Sequence, residues 1–193
     1  MELSKARTIA QKWQEIFQPV CDRIEIAGSI RREKPEVKDI ELICVPLQDF
    51  ESDLFGVSSV PYYPIHDHVL ELIKIGKCTP VKSGMKYKQL VLEDGINLDL
   101  FIVTRQTWAV QFTLRTGPED FSHWIVKKRR YGGALPSNCY VKHGLVWKEG
   151  GKEPLDIRSE EDFLDFLNLG WVEPKDRRVN LPVLRTDHFE AVW

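Results

Sequence analysis

The stretch that decides the fold is Ala27-Gly28-Ser29-Ile30-Arg31-Arg32, followed shortly by Asp39-Ile40-Glu41. Upstream, Arg23 to Ala27 alternates as a strand does, so Gly28-Ser29 must turn the chain tightly. A strand running into Gly-Ser and a helical turn brings backbone N–H groups and a hydroxyl within reach of a phosphate, because glycine has no side chain to block approach. Arg32 adds a rigid fork of donors matched to phosphate oxygens. On its own the hexapeptide also fits a plain turn with two surface arginines. Asp39 and Glu41 stand two apart in a second predicted strand, Asp39 to Val45, so their carboxylates leave one face. Alone, that pair is also what the solvent face of an edge strand carries.

A third carboxylate, Asp99, sits in the apolar run Ile96-Asn97-Leu98-Asp99-Leu100-Phe101. An acid among strand-forming hydrophobic residues costs desolvation unless something positive meets it. If the two strands are neighbours, three carboxylates converge and raise one another's pKa, and a divalent cation reverses that logic by rewarding every ionised oxygen. Hard oxygen ligands suit magnesium or manganese rather than zinc, and two such ions would hold the attacking and leaving oxygens of an in-line phosphoryl transfer.

The remaining elements read as a frame for this constellation. Residues 3 to 17 form an amphipathic helix with Leu3, Ala6, Ala10, Trp13, Ile16 and Phe17 inward. Glu51 to Pro64 reads as an irregular loop and Asp67 to Ile75 as a helix. Tyr87 to Leu92 and Ile96 to Val103 read as an antiparallel pair joined at Glu93-Asp94-Gly95. Past Thr104 the pattern turns helical, with a hinge at Thr116-Gly117-Pro118. Thr116 and Glu119 have capping-box spacing for a following helix that buries Phe121, Trp124 and Ile125. A hairpin around Gly144 and Gly150-Gly151 and a helix from Ser159 to Gly170 close the chain. A subdomain boundary is expected within residues 105 to 116.

Composition sets limits. With 193 residues and 42% hydrophobic content the chain suits one domain or two small ones. The net charge of -2 offers no global pull towards nucleic acid, so polyanion binding must come from local patches. Lys127-Lys128-Arg129-Arg130 is one such patch; it fits phosphate contact or, equally, cations closing a helix. Arg31, Lys82, Lys86 and Lys88 extend it on the first subdomain. His66-Asp67-His68 reads as exposed polar residues, Trp13, Trp108, Trp124 and Trp171 as core and interface filler, and Trp147 as a base-stacking candidate. Cys21, Cys44, Cys78 and Cys139 have no metal-binding spacing and read as free thiols of a reducing cytosol. The start has no apolar signal segment and no window spans a bilayer, so a cytoplasmic or nucleoid location is expected.

Taken together, GS-x-RR, a carboxylate pair and a later lone Asp in a strand resemble the signature of X-family (polymerase beta-like) DNA polymerases. The intervals from Gly28 to Asp39 and from Asp99 to Thr116-Gly117 equal the family's. Glu160-Glu161-Asp162-Phe163 and Glu173-Pro174-Lys175-Asp176-Arg177 resemble its closing segments. The likeness runs from about residue 3 to residue 178, with Val179 to Trp193 as an unmatched tail. It covers a palm and a C-terminal subdomain, without counterparts of the lyase domain and fingers, as in minimal virus-encoded members.

The resemblance implies an α+β fold: a nucleotidyltransferase palm (1–113) with a mixed sheet and helices, then a small α/β subdomain (114–193). It implies two magnesium ions, with manganese as substitute, held by Asp39, Glu41 and Asp99, which are the catalytic residues. Gly28, Ser29 and Arg32 would hold the nucleotide's phosphates, Thr116 and Gly117 its sugar, and Glu119 and Ser122 its base. Lys86, Lys127, Lys128, Arg129 and Arg130 would contact DNA. The expected partners are a nucleoside triphosphate and a primer-template or gapped duplex, with no membrane, and the expected state is a monomer. The expected reaction is templated nucleotide addition to a DNA 3' end, in gap-filling repair. A nucleotidyltransferase acting on a small molecule, an RNA or a protein, and a non-catalytic DNA-binding module, are the alternatives. The sequence departs from the family pattern at Val37, Glu41, Asn97, Leu114-Arg115 and Val126.

Overall fold

Two strands that meet only after a long excursion of the chain hold the first unit together. In the computed structural model, which describes residues 1–53 and 56–182, β2 (Asp39–Pro46) pairs in parallel with β7 (Asn97–Ile102) at the centre of a five-stranded sheet. The order is β1-β2-β7-β6-β5, with β1 (Cys21–Ile26), β6 (Tyr87–Leu92) and β5 (Cys78–Ser83) joining antiparallel. A mixed sheet results, as expected.

One face of the sheet is covered by α1 (Leu3–Phe17) and α3 (Pro64–Lys74). Ala6, Ile9, Ala10, Trp13 and Phe17 of α1 are buried, a 3.6-residue stripe facing the strands. Beneath them lie Ile40, Leu42, Leu98 and Leu100, none of them exposed at all. Burial of each such side chain stabilises the fold by about 1.5–3 kcal/mol. Because strand residues alternate, this apolar set forces Asp39, Glu41 and Asp99 onto the other face.

Two expectations are corrected in this unit. Within the stretch expected to be a loop, β3 (Asp49–Asp53) and β4 (Gly56–Tyr62) pair antiparallel. Its prolines suggested irregularity, but in a two-stranded sheet every strand is an edge, where a missing N–H is tolerated. Strand β5 went unread because it alternates poorly: only Cys78 of its six residues is buried.

The chain divides into compact units Met1–Thr104 and Arg105–Trp193. Position 113, the domain limit drawn from the resemblance, lies inside α4 (Trp108–Thr116). The second unit packs α4, α5 (Glu119–Val126), the hairpin β8 (Cys139–Lys142) and β9 (Leu145–Lys148), and α6 (Glu160–Phe166) around Phe121, Ile125, Leu135, Phe163 and Leu164. The helix cap expected from Thr116 is not made. Thr116 is the last residue of α4, Pro118 is the N-cap of α5, and no side chain caps it. A capping box does form at α6, where Ser159 Oγ accepts from Asp162 N and Asp162 Oδ2 accepts from Ser159 N.

The two closing segments that resemble the polymerase family touch each other. Arg177 Nη1 donates to Glu160 Oε1 at 2.8 Å, Nε donates to the Val172 carbonyl, and the guanidinium lies 5.6 Å from the Trp171 ring. Both charges are buried, so each depends on the other for compensation. Of the unmatched tail, residues 183–193 lie outside the described residues.

Candidate active site

Gly28 is where the site begins. Its φ of +60° lies in the left-handed region, and a Cβ there would fall 1.6 Å from Glu41 Oε2. Only glycine suits both the backbone and the close approach. The strand β1 thus breaks into a single helical turn, α2 (Gly28–Arg31), and Arg32 follows as its C-cap. Ser29 Oγ is buried and makes no hydrogen bond among the described residues. A buried hydroxyl without a partner costs about 1–3 kcal/mol, which an incoming acceptor or donor would recover.

The carboxylates stand in register across β2 and β7, with Glu41 opposite Asp99 and Asp39 opposite Asn97. Asp39 titrates above the usual carboxylate range, first because burial disfavours its charge and next because Asp99 repels it. Its own backbone N–H, Arg32 and Lys38 pull the other way. Asp99 Oδ1 accepts from Tyr87 Oη at 2.7 Å and from Gln89 Nε2 at 3.0 Å. Sequence reading missed Tyr87 and Gln89. The signal was there in the hairpin register, which pairs Gln89 with Asp99 and puts Tyr87 diagonally across.

Asp39 and Asp99 thus lie near enough for Asp99 to repel the charge on Asp39, and the Glu41 carboxylate lies against Gly28. Among the described residues no three His, Cys, Asp or Glu side chains are gathered closely enough to hold a metal ion as they stand. The donor set nonetheless fits magnesium or manganese. Such ions are commonly held by one or two carboxylates, with water and substrate phosphate completing the shell. Asp39 and Asp99 supply hard oxygens whose mutual repulsion a cation would relieve.

The phosphate-side residues lie on the same unit. Ser29 and Arg32 flank the turn at Gly28, and Arg32 is near enough to Asp39 to favour its charged form. The residues assigned to sugar and base lie in the second unit. Gly117 ends α4, and a Cβ there would fall 2.4 Å from the Phe121 ring. Ser122 Oγ donates to the Leu114 carbonyl at 2.6 Å, and Glu119 is exposed, 3.8 Å from His123.

The basic residues divide sharply. Lys127 is exposed, whereas Lys128 pairs with Glu149, Arg130 lies 3.7 Å from Glu149, and Arg129 donates to the carbonyls of Ala134 and Leu167. Only the start of the run closes the helix: Lys127 is the C-cap of α5, and Lys128 already bridges to Leu135. Lys82 and Lys86 are exposed, but Lys88 is buried on the opposite face, with Nζ donating to Ser83 Oγ, and burial pulls its pKa down. Its expected place on a DNA-facing surface is corrected by strand alternation, which pairs it with Leu100. His68 is bonded to the Ile16 carbonyl, and Trp147 Nε1 donates to the Lys142 carbonyl. All four cysteines are free and buried. No helix among the described residues is long and apolar enough to cross a membrane.

The fold is polymerase beta-like. It resembles the crystal structure of the ternary P/T complex of Leishmania infantum polymerase beta, with a TM-score of 0.69 and 16% identity over 92% of this chain and 76% of that one. No protein-family model matches the sequence, and no curated protein does.

Proposed function

We propose that this chain is a metal-dependent nucleotidyltransferase that extends DNA 3' ends on a template. The observation that carries this reading is that Asp39 and Asp99 leave one face of neighbouring strands, close enough for Asp99 to repel the charge on Asp39, in a polymerase beta-like sheet beside the Gly28-Ser29 turn. Magnesium, when bound, would lower the pKa of the attacking hydroxyl and neutralise charge on the transferring phosphoryl group. Asp39, Glu41 and Asp99 would hold the ions. Ser29 and Arg32 would bind the triphosphate tail, the guanidinium offering two parallel donors to its oxygens. Thr116, Gly117, Glu119 and Ser122 would take the sugar and base. Exposed Lys86 and Lys127 would contact the DNA backbone, without reading sequence.

Transfer to a different acceptor, such as an RNA, a protein or a small molecule, is favoured by one observation. Lys128, Arg129 and Arg130 are tied up within their own unit, and the net charge is -2, so the grip on a duplex is thin. Primer extension with magnesium on gapped and single-stranded substrates separates the readings. Template-directed extension, lost in Asp99→Ala, is the expected result. Transfer only to another acceptor supports the second reading. Duplex binding without transfer, unchanged by Asp99→Ala, would make the chain a non-catalytic DNA-binding module.

A further inference from the structure

Asp99 is held by two side chains of the neighbouring strand β6. Both hydrogen bonds to it end on Oδ1: one from the Tyr87 hydroxyl at 2.7 Å, one from the Gln89 amide at 3.0 Å. Two donors on one oxygen fix the rotation of the carboxyl group and leave Oδ2 for an ion. The donors are themselves held. The Tyr87 ring stacks on Phe101 at 5.1 Å between centroids with 24° between planes, and Lys82 Nζ lies 5.7 Å from its centroid. Gln89 is paired directly across the ladder from Asp99.

We propose that Tyr87 and Gln89 are positioning residues that aim Asp99 at the metal. The proposal rests on the metal-dependent reading above and adds to it the residues that set the geometry. A ligating carboxylate with fixed orientation loses less freedom when the ion arrives, and outer partners of this kind are typically worth about 10–100-fold in metal affinity. Their position on β6 also explains how a strand that carries no acid contributes to the site. The neighbouring residues Lys88 and Leu90 point to the opposite face, into the core.

The test is manganese binding to the full chain, followed by electron paramagnetic resonance. Tyr87→Phe keeps the ring, hence the Phe101 stack, and removes only the hydroxyl; Gln89→Leu removes the second donor independently. Wild-type protein should bind manganese in a manner lost in Asp99→Asn. Each single variant should weaken that binding about 10-fold, and the double variant more, with the unfolding midpoint little changed. In nucleotide transfer, the same variants should raise the metal concentration for half-maximal rate more than they lower kcat at saturating metal. If wild type binds manganese and Asp99→Asn abolishes it, but both Tyr87→Phe and Gln89→Leu bind as wild type, the positioning role is overturned and the metal site stands. If wild type binds no manganese, the metal-dependent reading falls and this inference with it. A Tyr87→Phe protein that fails to fold leaves Gln89→Leu to decide.

Discussion

Turned one way, β2 and β7 present Ile40, Leu42, Leu98 and Leu100, all without solvent exposure; turned the other way, they present Asp39, Glu41, Asn97 and Asp99. The two faces share a backbone and differ only in which alternate residues they display. The apolar face gains stability from every close contact with α1 and α3. The acidic face works against stability, since burial and Asp99 together penalise the charge on Asp39. Local features that cost folding free energy are expected where a protein binds something that repays them.

Substitutions on the two faces should therefore have opposite signatures. The largest expected effect is at Asp39→Asn: nucleotide transfer should fall about a thousandfold or more, equivalent to about 4 kcal/mol at about 1.36 kcal/mol per tenfold. The unfolding midpoint of the metal-free protein should hold or rise, because a repelled charge has been removed. Cooperative denaturant titration alongside the rate measurement checks both halves, and loss of folding in Asp39→Asn would break the comparison.

Next, Leu100→Ala should destabilise the chain by about 2–5 kcal/mol through lost burial and a cavity. Rates measured well below its melting transition should stay near wild type. Third, Gly28→Ala should cost about 1–2 kcal/mol for a side chain at positive φ, plus the displacement of Glu41. Its nucleotide affinity should drop as well, a joint effect readable from calorimetry and from KM.

The smallest effect is in pH dependence. Asp39 has a folded-state pKa raised above 3.8, so the folded chain holds that proton more tightly than the unfolded chain. Stability of the metal-free protein should therefore fall as pH rises through the interval between 3.8 and the folded value. Asp39→Asn should flatten that slope, and a slope of the same size in the variant would assign it elsewhere.

Much of this was readable from residue order alone. Alternation in Asp39 to Val45 and in Ile96 to Phe101 placed the acids on one face, and Glu93-Asp94-Gly95 set the β6–β7 hairpin. What escaped were features that depend on three-dimensional neighbours. The register that delivers Tyr87 and Gln89 to Asp99 is fixed by pairing, not composition. Lys88 looked like surface because lysine usually is, yet the same alternation that turns Gln89 to the acidic face buries it. Arg129 looked like a phosphate ligand, but its guanidinium donates to the carbonyls of Ala134 and Leu167. The closeness of the Glu41 carboxylate to Gly28 likewise depends on how β2 lies beside the turn, which residue order does not state.

Crystals grown with manganese and a non-hydrolysable nucleoside triphosphate, read by anomalous scattering, test the metal assignment most directly. An anomalous peak within ligand distance of the Asp39 and Asp99 carboxylates is the expected result. Triphosphate bound with no peak at Asp39 and Asp99, their carboxylates unmoved, would contradict the assignment.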